Sequence, residues 1–190
     1  MNLRQLSVAL AFATALSAAA QVQAQAPRVV LETTEGKIVV ELAPQAAPKT
    51  VENFLSYVKS GHYNGTIFHR VIPTFMVQGG GFGPDMKEKV TRGTIPLESQ
   101  NGLKNARGTL AMARRNDPNS ASAQFFINVV DNTARLDYPN PDGNGYAVFG
   151  KVVEGMDVVD KIRAAPTTTR GPHENVPVTP VVIKTARVAS

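Results

Sequence analysis

The stretch Phe68 to Gly80, FHRVIPTFMVQGG, constrains the fold more than any other part of the chain. Thr66 to Ile72 is β-branched and aromatic, Pro73-Thr74 interrupts it, and Phe75 to Gln78 resumes an extended pattern. It reads as two strands around a turn. Side chains alternate faces along a strand. That rule puts Arg70 with Phe68 and Ile72, opposite His69 and Val71, and Met76 with Gln78, opposite Phe75 and Val77. Gly79 to Gly81 then let the backbone turn or approach a ligand closely. A guanidinium and an amide over a greasy floor can hold and polarise a substrate but are poorly equipped to attack one. Taken singly, an arginine on a strand is usually solvated, and a Phe or Met is usually core.

The same short-strand punctuation runs through the rest of the chain. Arg28 to Thr34 and Lys37 to Leu42 are β-branched runs joined at Glu35-Gly36, a hairpin signal. Pro48 suits the first position of a helix. Val51, Phe54, Leu55 and Val58 then fall on one helical face, with Lys59 and Gly61 suited to its end. This helix is expected to cover an open end of the sheet. Phe82 to Thr94 reads as a surface loop, Ile95 to Glu98 as a short strand, and Asn101 to Arg107 as turn-rich. Thr109 to Ala113 is strand and Arg114 to Ser122 loop. Gln124 to Val129 is a strand with Gln124, Phe126 and Asn128 facing one way and Phe125, Ile127 and Val129 the other. Pro139 to Gly145 is a turn cluster, Ala147 to Val153 a strand, Met156 to Arg163 a short helix, and Val178 to Val188 a closing strand. Many short strands with two helices spell a mainly β, closed antiparallel barrel.

The N-terminal residues follow a different pattern. Arg4, the small-residue-rich apolar run Leu6 to Ala20, and Val22-Gln23-Ala24 have the form of an export signal with its cleavage site. The run is too short and alanine-rich for a membrane span. Cleavage after Ala24 makes residues 1–24 a signal peptide and 25–190 one domain, since removing 24 residues from 190 leaves 166. The expected location is periplasmic or secreted, with no membrane span after cleavage. The formal net charge of +5 comes from scattered Lys and Arg, so it suits solubility and no nucleic-acid partner is expected. With no cysteine there is neither a thiol nucleophile nor a disulfide framework, and the fold must rest on its core.

Other chemistries find no support. The glycines after Gln78 lack a following Gly-Lys-Ser/Thr, so they are no phosphate loop. Asn140 to Asn144 has the composition of a calcium loop, but its first and last ligand positions fall on Tyr138 and Phe149. His62, His69 and His173 have neither metal-ligand spacing nor a nucleophile motif, and a structural hydrogen bond is expected of His69.

FHRVIPTFMVQGG resembles the signature of the cyclophilins, the cyclophilin-type peptidyl-prolyl cis-trans isomerases, and the match is ungapped. It continues in GTLAMAR (Gly108 to Arg114), SAQFFINV (Ser122 to Val129) and YAVFGKVVEGMDVVDKI (Tyr146 to Ile162), covering nearly everything from Val29 onward. The resemblance, to the exported bacterial branch, implies an eight-stranded barrel with two capping helices. It implies isomerisation of X-Pro bonds during folding of exported proteins, on proline-containing unfolded or partly folded polypeptides. No metal or cofactor is implied, and a monomer is expected. Arg70 and Gln78 are implied as catalytic. Phe75, Met76, Ala113, Gln124, Phe126, Leu136 and Tyr146 are implied as substrate-binding, on the outside of the barrel.

The residues suit that reaction. Rotating a peptide bond costs about 18–20 kcal/mol, because resonance is lost at the twisted geometry. The nitrogen then regains its lone pair and accepts a hydrogen bond that the planar ground state cannot. A donor held over it binds the transition state better than either isomer. Arg70, always charged and planar, suits that role; Gln78 can hold the carbonyl or orient the guanidinium. A barrel that binds proline segments without turnover is the alternative, and the presence of both Arg70 and Gln78 favours the enzyme. Three departures from the family pattern stand at the rim. Arg135 precedes Leu136 where many members have Trp, Tyr146 stands where His is common, and Arg114 where Asn often follows the alanine. Weak cyclosporin binding is the expectation from that rim.

Overall fold

Ten strands and three helices occupy the described residues, 26–189, of a computed structural model; the export signal read at residues 1–24 lies outside them. The chain opens with β1 (Arg28–Thr33) and β2 (Lys37–Leu42), paired antiparallel. Their turn is closed by Thr33, whose Oγ1 accepts from the amides of Glu35 and Gly36, each at 3.1 Å. Gly36 has φ +136°, and a Cβ there would stand 2.8 Å from Val158 Cγ2 on α3 (Met156–Arg163). Glycine is required there both by conformation and by packing.

Next come α1 (Pro48–Lys59), β3 (Thr66–Ile72), β4 (Met76–Gly79), β5 (Thr109–Met112), β6 (Phe125–Asn128), α2 (Thr133–Leu136) and β7 (Val148–Glu154). After α3 follow β8 (Thr167–Arg170), β9 (His173–Pro177) and β10 (Val182–Val188). Eight strands close a barrel in the order β1-β10-β3-β4-β6-β5-β7-β2, every neighbouring pair antiparallel. The expected barrel and both longer helices are present. The one-turn α2 and the separate β8–β9 hairpin are additional, and the closing strand starts at Val182, later than its sequence pattern suggested.

The interior is built from alternate strand residues, Val29 and Leu31, Ile38 and Val40, Phe125 and Ile127 among them. Helix α1 seals it with Val51, Phe54 and Val58, and its Phe54 ring lies 5.1 Å from Tyr63 and Phe149 and 5.5 Å from Phe125. Its N-terminus has no local side-chain cap. Glu98 supplies one from a distance, accepting from the amides of Lys49 (3.1 Å) and Thr50 (2.9 Å), where a carboxylate also complements the helix dipole. The expected strand at Ile95–Glu98 is therefore reduced to a single bridge, Ile95 to Ala121.

A second apolar cluster covers the outside of the β4–β6–β5 wall: Met76, Ala111, Phe126, Leu136 and Val148. These strands are buried on both faces, so their sequences read as nearly continuous apolar runs. The outer cluster is the floor on which the site is assembled.

Candidate active site

Strict alternation fails twice in the central stretch, and each failure builds the site. Along β3, Phe68 pairs with Gly79 but Arg70 with Gln78, so one extra residue, His69, makes a β-bulge. Phe68 and Val71 therefore point into the core while Arg70 and Ile72 lie outside; the expected grouping of Arg70 with Phe68 is corrected by that bulge. Strict alternation puts Phe75 with Val77, away from Met76. It instead sits in the turn before β4, outside the alternating strand, and packs on the same outer cluster as Met76.

The nine residues singled out lie together. A cavity of about 90 Å³ has Met76, Phe126 and Leu136 as its floor, Phe75, Ala113 and Tyr146 as its walls, and Arg70 and Gln78 at its mouth. Gln124 stands one step outward, its Oε1 accepting from Gln78 Nε2 at 3.0 Å. Arg70 Nη1 donates to Gln78 Oε1 at 3.4 Å, leaving the rest of its planar donor array for a ligand. A wider groove of about 800 Å³ continues from Arg70, lined in part by Glu88, Arg115 and the β8–β9 tip at His173 and Glu174.

Three buried asparagines hold the walls in place. Asn132 Nδ2 donates to the Phe75 carbonyl and to Asn128 Oδ1, both at 2.8 Å. Asn128 Nδ2 donates to Asn105 Oδ1 (3.2 Å), and Asn105 Nδ2 to the Tyr146 carbonyl (3.2 Å). The Phe75 turn, the start of α2 and the Tyr146 wall are thus joined by one polar chain. Sequence patterning marks Asn128 only as an outward residue and leaves Asn105 and Asn132 unmarked, because an isolated Asn carries no periodic signal.

Two of the three rim departures, Arg114 and Tyr146, form one unit. The Arg114 side chain is 2% exposed, its guanidinium 4.5 Å from the Tyr146 ring centroid. It donates to Asp142 Oδ1 (2.7 Å) and to the Gly145 carbonyl (3.1 and 3.0 Å). Its hydrogen bond holds the Asp142 carboxyl below the usual range. Tyr146 meets Phe126 edge-on at 5.7 Å, so cation, wall and floor stack in sequence. Arg114 lines the cavity, which the sequence reading noted only as a departure, whereas Arg135 is exposed and does not line it.

His69 is 5% exposed, its ring 4.6 Å from that of Phe82. Its Nδ1 is buried without a hydrogen-bond partner, so the structural hydrogen bond expected of His69 is not made at that atom. Burial, with the nearby charges of His173 and Arg70, pushes its pKa down to about 4, so the imidazole is neutral beside Arg70 at neutral pH. Among the described residues no cluster of three or more His, Cys, Asp or Glu side chains is placed to hold a metal ion, and no helix is long and apolar enough to cross a membrane.

The family described as cyclophilin type peptidyl-prolyl cis-trans isomerase/CLD matches residues 28–188. Peptidyl-prolyl cis-trans isomerase cyp18 of Streptomyces antibioticus is 59% identical over 160 residues, 83% of this chain and 96% of that protein. Peptidyl-prolyl cis-trans isomerase B of Escherichia coli is 53% identical over 166 residues, 85% and 99% of the two chains. A crystal structure of a Cryptosporidium parvum cyclophilin type isomerase in the presence of the dipeptide Ala-Pro is similar with a TM-score of 0.73 and 28% identity, covering 86% of this chain and 99% of that one.

Proposed function

The chain belongs to the cyclophilin-type peptidyl-prolyl cis-trans isomerases, and from that premise we propose that its X-Pro isomerisation takes place at the outer cavity, with Arg70 as the donor to the twisted amide nitrogen. The observation that carries this reading is the position of Arg70, fixed by the β3 bulge at the mouth of an apolar cavity and bonded on one side only, to Gln78 at 3.4 Å. The floor of Met76, Phe126 and Leu136 takes the proline ring, and Gln78 sets the direction of the guanidinium. An Ala-Pro dipeptide accompanies the related Cryptosporidium structure, which supports proline-containing peptides as ligands here.

Exchange NMR on a proline peptide reports binding and isomerisation separately and tests this directly. Arg70→Ala is expected to lower the exchange rate by at least about a hundredfold, the scale of one oriented transition-state donor, with peptide Kd much less affected. An unchanged exchange rate overturns the assignment. Since no group on this route gives up or takes a proton, the rate is expected to stay flat from mildly acidic to mildly basic pH.

The cellular setting is part of the proposal. The export signal read from Arg4 to Ala24 supports a mature domain in the periplasm or outside the cell, and the role proposed there is that of a monomer acting on exported chains during their folding. Intact mass of the protein secreted by its native host is expected to show a chain starting at Gln25; recovery of all 190 residues from membranes overturns it.

A further inference from the structure

We propose that Glu88 is a positioning residue that sets the orientation of the Gln78 amide towards Arg70, acting through Gln124. The inference rests on the reading of Arg70 given above. Three hydrogen bonds run in one line: Arg70 Nη1 to Gln78 Oε1 (3.4 Å), Gln78 Nε2 to Gln124 Oε1 (3.0 Å), and Gln124 Nε2 to Glu88 Oε1 (3.4 Å).

The two ends of this line differ in kind. A guanidinium only donates and an ionised carboxylate only accepts, whereas a primary amide presents oxygen at one end and NH2 at the other. The ends of an amide are nearly the same size, so shape alone does not choose between the two orientations. With a donor-only group at one end and an acceptor-only group at the other, one orientation of both amides satisfies all three links. Gln78 then turns its oxygen to Arg70. Without Glu88, Gln124 can reverse and set its NH2 against that of Gln78, and Gln78 then relieves the clash only by turning its own NH2 towards the guanidinium.

Glu88 is exposed, yet the backbone holds it in place. It pairs with Phe82 across an isolated bridge, and the next residue, Lys89, donates from its amide to the Gly81 carbonyl at 2.8 Å. Lys89 Nζ also donates to the carbonyls of His62 (2.7 Å) and Asn64 (2.8 Å), fastening the base of this loop to the barrel. Gly81 contributes from the other side. A Cβ there would stand 2.6 Å from both Cγ and Cδ of Gln124, so the bare backbone is what lets that side chain lie across it towards Glu88.

The test uses exchange NMR on a proline peptide with Glu88→Lys, Glu88→Gln, Gly81→Ala and Arg70→Ala, with the side-chain amide resonances of Gln78 followed in the free protein. Lysine makes both ends donor-only, so one link must set donor against donor. Glu88→Lys is expected to slow isomerisation by about three- to tenfold, the worth of one hydrogen bond, with little change in peptide Kd and a moved Gln78 amide signal. Glu88→Gln can still accept through its oxygen and is expected to recover most of that loss. Gly81→Ala is expected to reproduce it. Wild-type turnover and an unmoved Gln78 signal in Glu88→Lys, with Arg70→Ala slow, overturn this inference alone. Glu88→Gln as slow as Glu88→Lys overturns it as well, because charge would then matter and acceptance would not. Arg70→Ala at the wild-type rate overturns the reading of the site and this inference with it.

Discussion

At the scale of single residues, the site depends on the shape of its charges more than on their number. Arg70→Lys keeps the charge but replaces a planar donor array with a compact ammonium, and it is expected to rescue little of the turnover lost in Arg70→Ala. Arg114 illustrates the same point in a supporting role. Its guanidinium lies over Tyr146 at 4.5 Å while bonding Asp142 and Gly145, so the tyrosine wall is held from behind. Arg114→Ala is expected to weaken peptide binding about fivefold, from the loss of roughly 1 kcal/mol of cation–π support. It should leave the exchange rate of bound peptide near that of wild type. Calorimetric titration with exchange NMR on the same sample separates the two, and unchanged binding would show that Tyr146 holds its place unaided.

At the scale of elements, the pocket is positioned by connections that bypass the chain between them. Asn132 at the start of α2 bonds the Phe75 carbonyl in the turn before β4, 57 residues away, and Asn128 on β6. Asn132→Ala leaves both acceptors without that donor in a buried setting. It is expected to cost about 1–3 kcal/mol in chemical denaturation and to loosen peptide binding through Phe75. A stability equal to wild type would mean that the Val129 amide, 3.2 Å from the Phe75 carbonyl, is partner enough for that oxygen and that water replaces Asn132 at Asn128. Glu98 plays the equivalent part for α1, capping a helix whose own sequence offers no capping side chain at Ala47.

At the scale of the whole molecule, buried imidazoles tie stability to pH. The His69 pKa is lowered from 6.5 to about 4 chiefly by burial, and that of half-buried His62 is lowered, again chiefly by burial. Between pH 4 and 6.5 the unfolded chain binds a proton at His69 that the folded chain does not, so stability rises with pH across that window. The contribution is fully present above pH 6.5 and is lost as pH falls towards 4, on the order of 3 kcal/mol for His69. Denaturation curves at stepped pH are expected to show this slope, and His69→Asn should flatten it. An equal slope in the variant would assign the effect to other groups.

What the sequence determined by itself was whatever repeats over a few residues. The 3.6-residue spacing of Val51, Phe54, Leu55 and Val58 and the Pro48 start marked α1 at its observed bounds. Period-2 alternation sorted Phe125 and Ile127 from Phe126 and Asn128 as the barrel does. The long FHRVIPTFMVQGG match pointed to the family and to residues that the fold gathers round one cavity. Local sterics and burial of one face act within a single element, so they leave a readable pattern. Tertiary structure alone decided which way Arg70 points, because a bulge is a mismatch between two strands and neither strand carries it alone. It also decided that Glu98 caps α1 while Ile95 keeps only a single bridge, that Phe75 joins Met76, and that Arg114 stacks on Tyr146. The link of Gln78 to Gln124 spans 46 residues, a distance at which no local periodicity survives, and only the pairing of β4 with β6 brings the two amides within hydrogen-bonding reach.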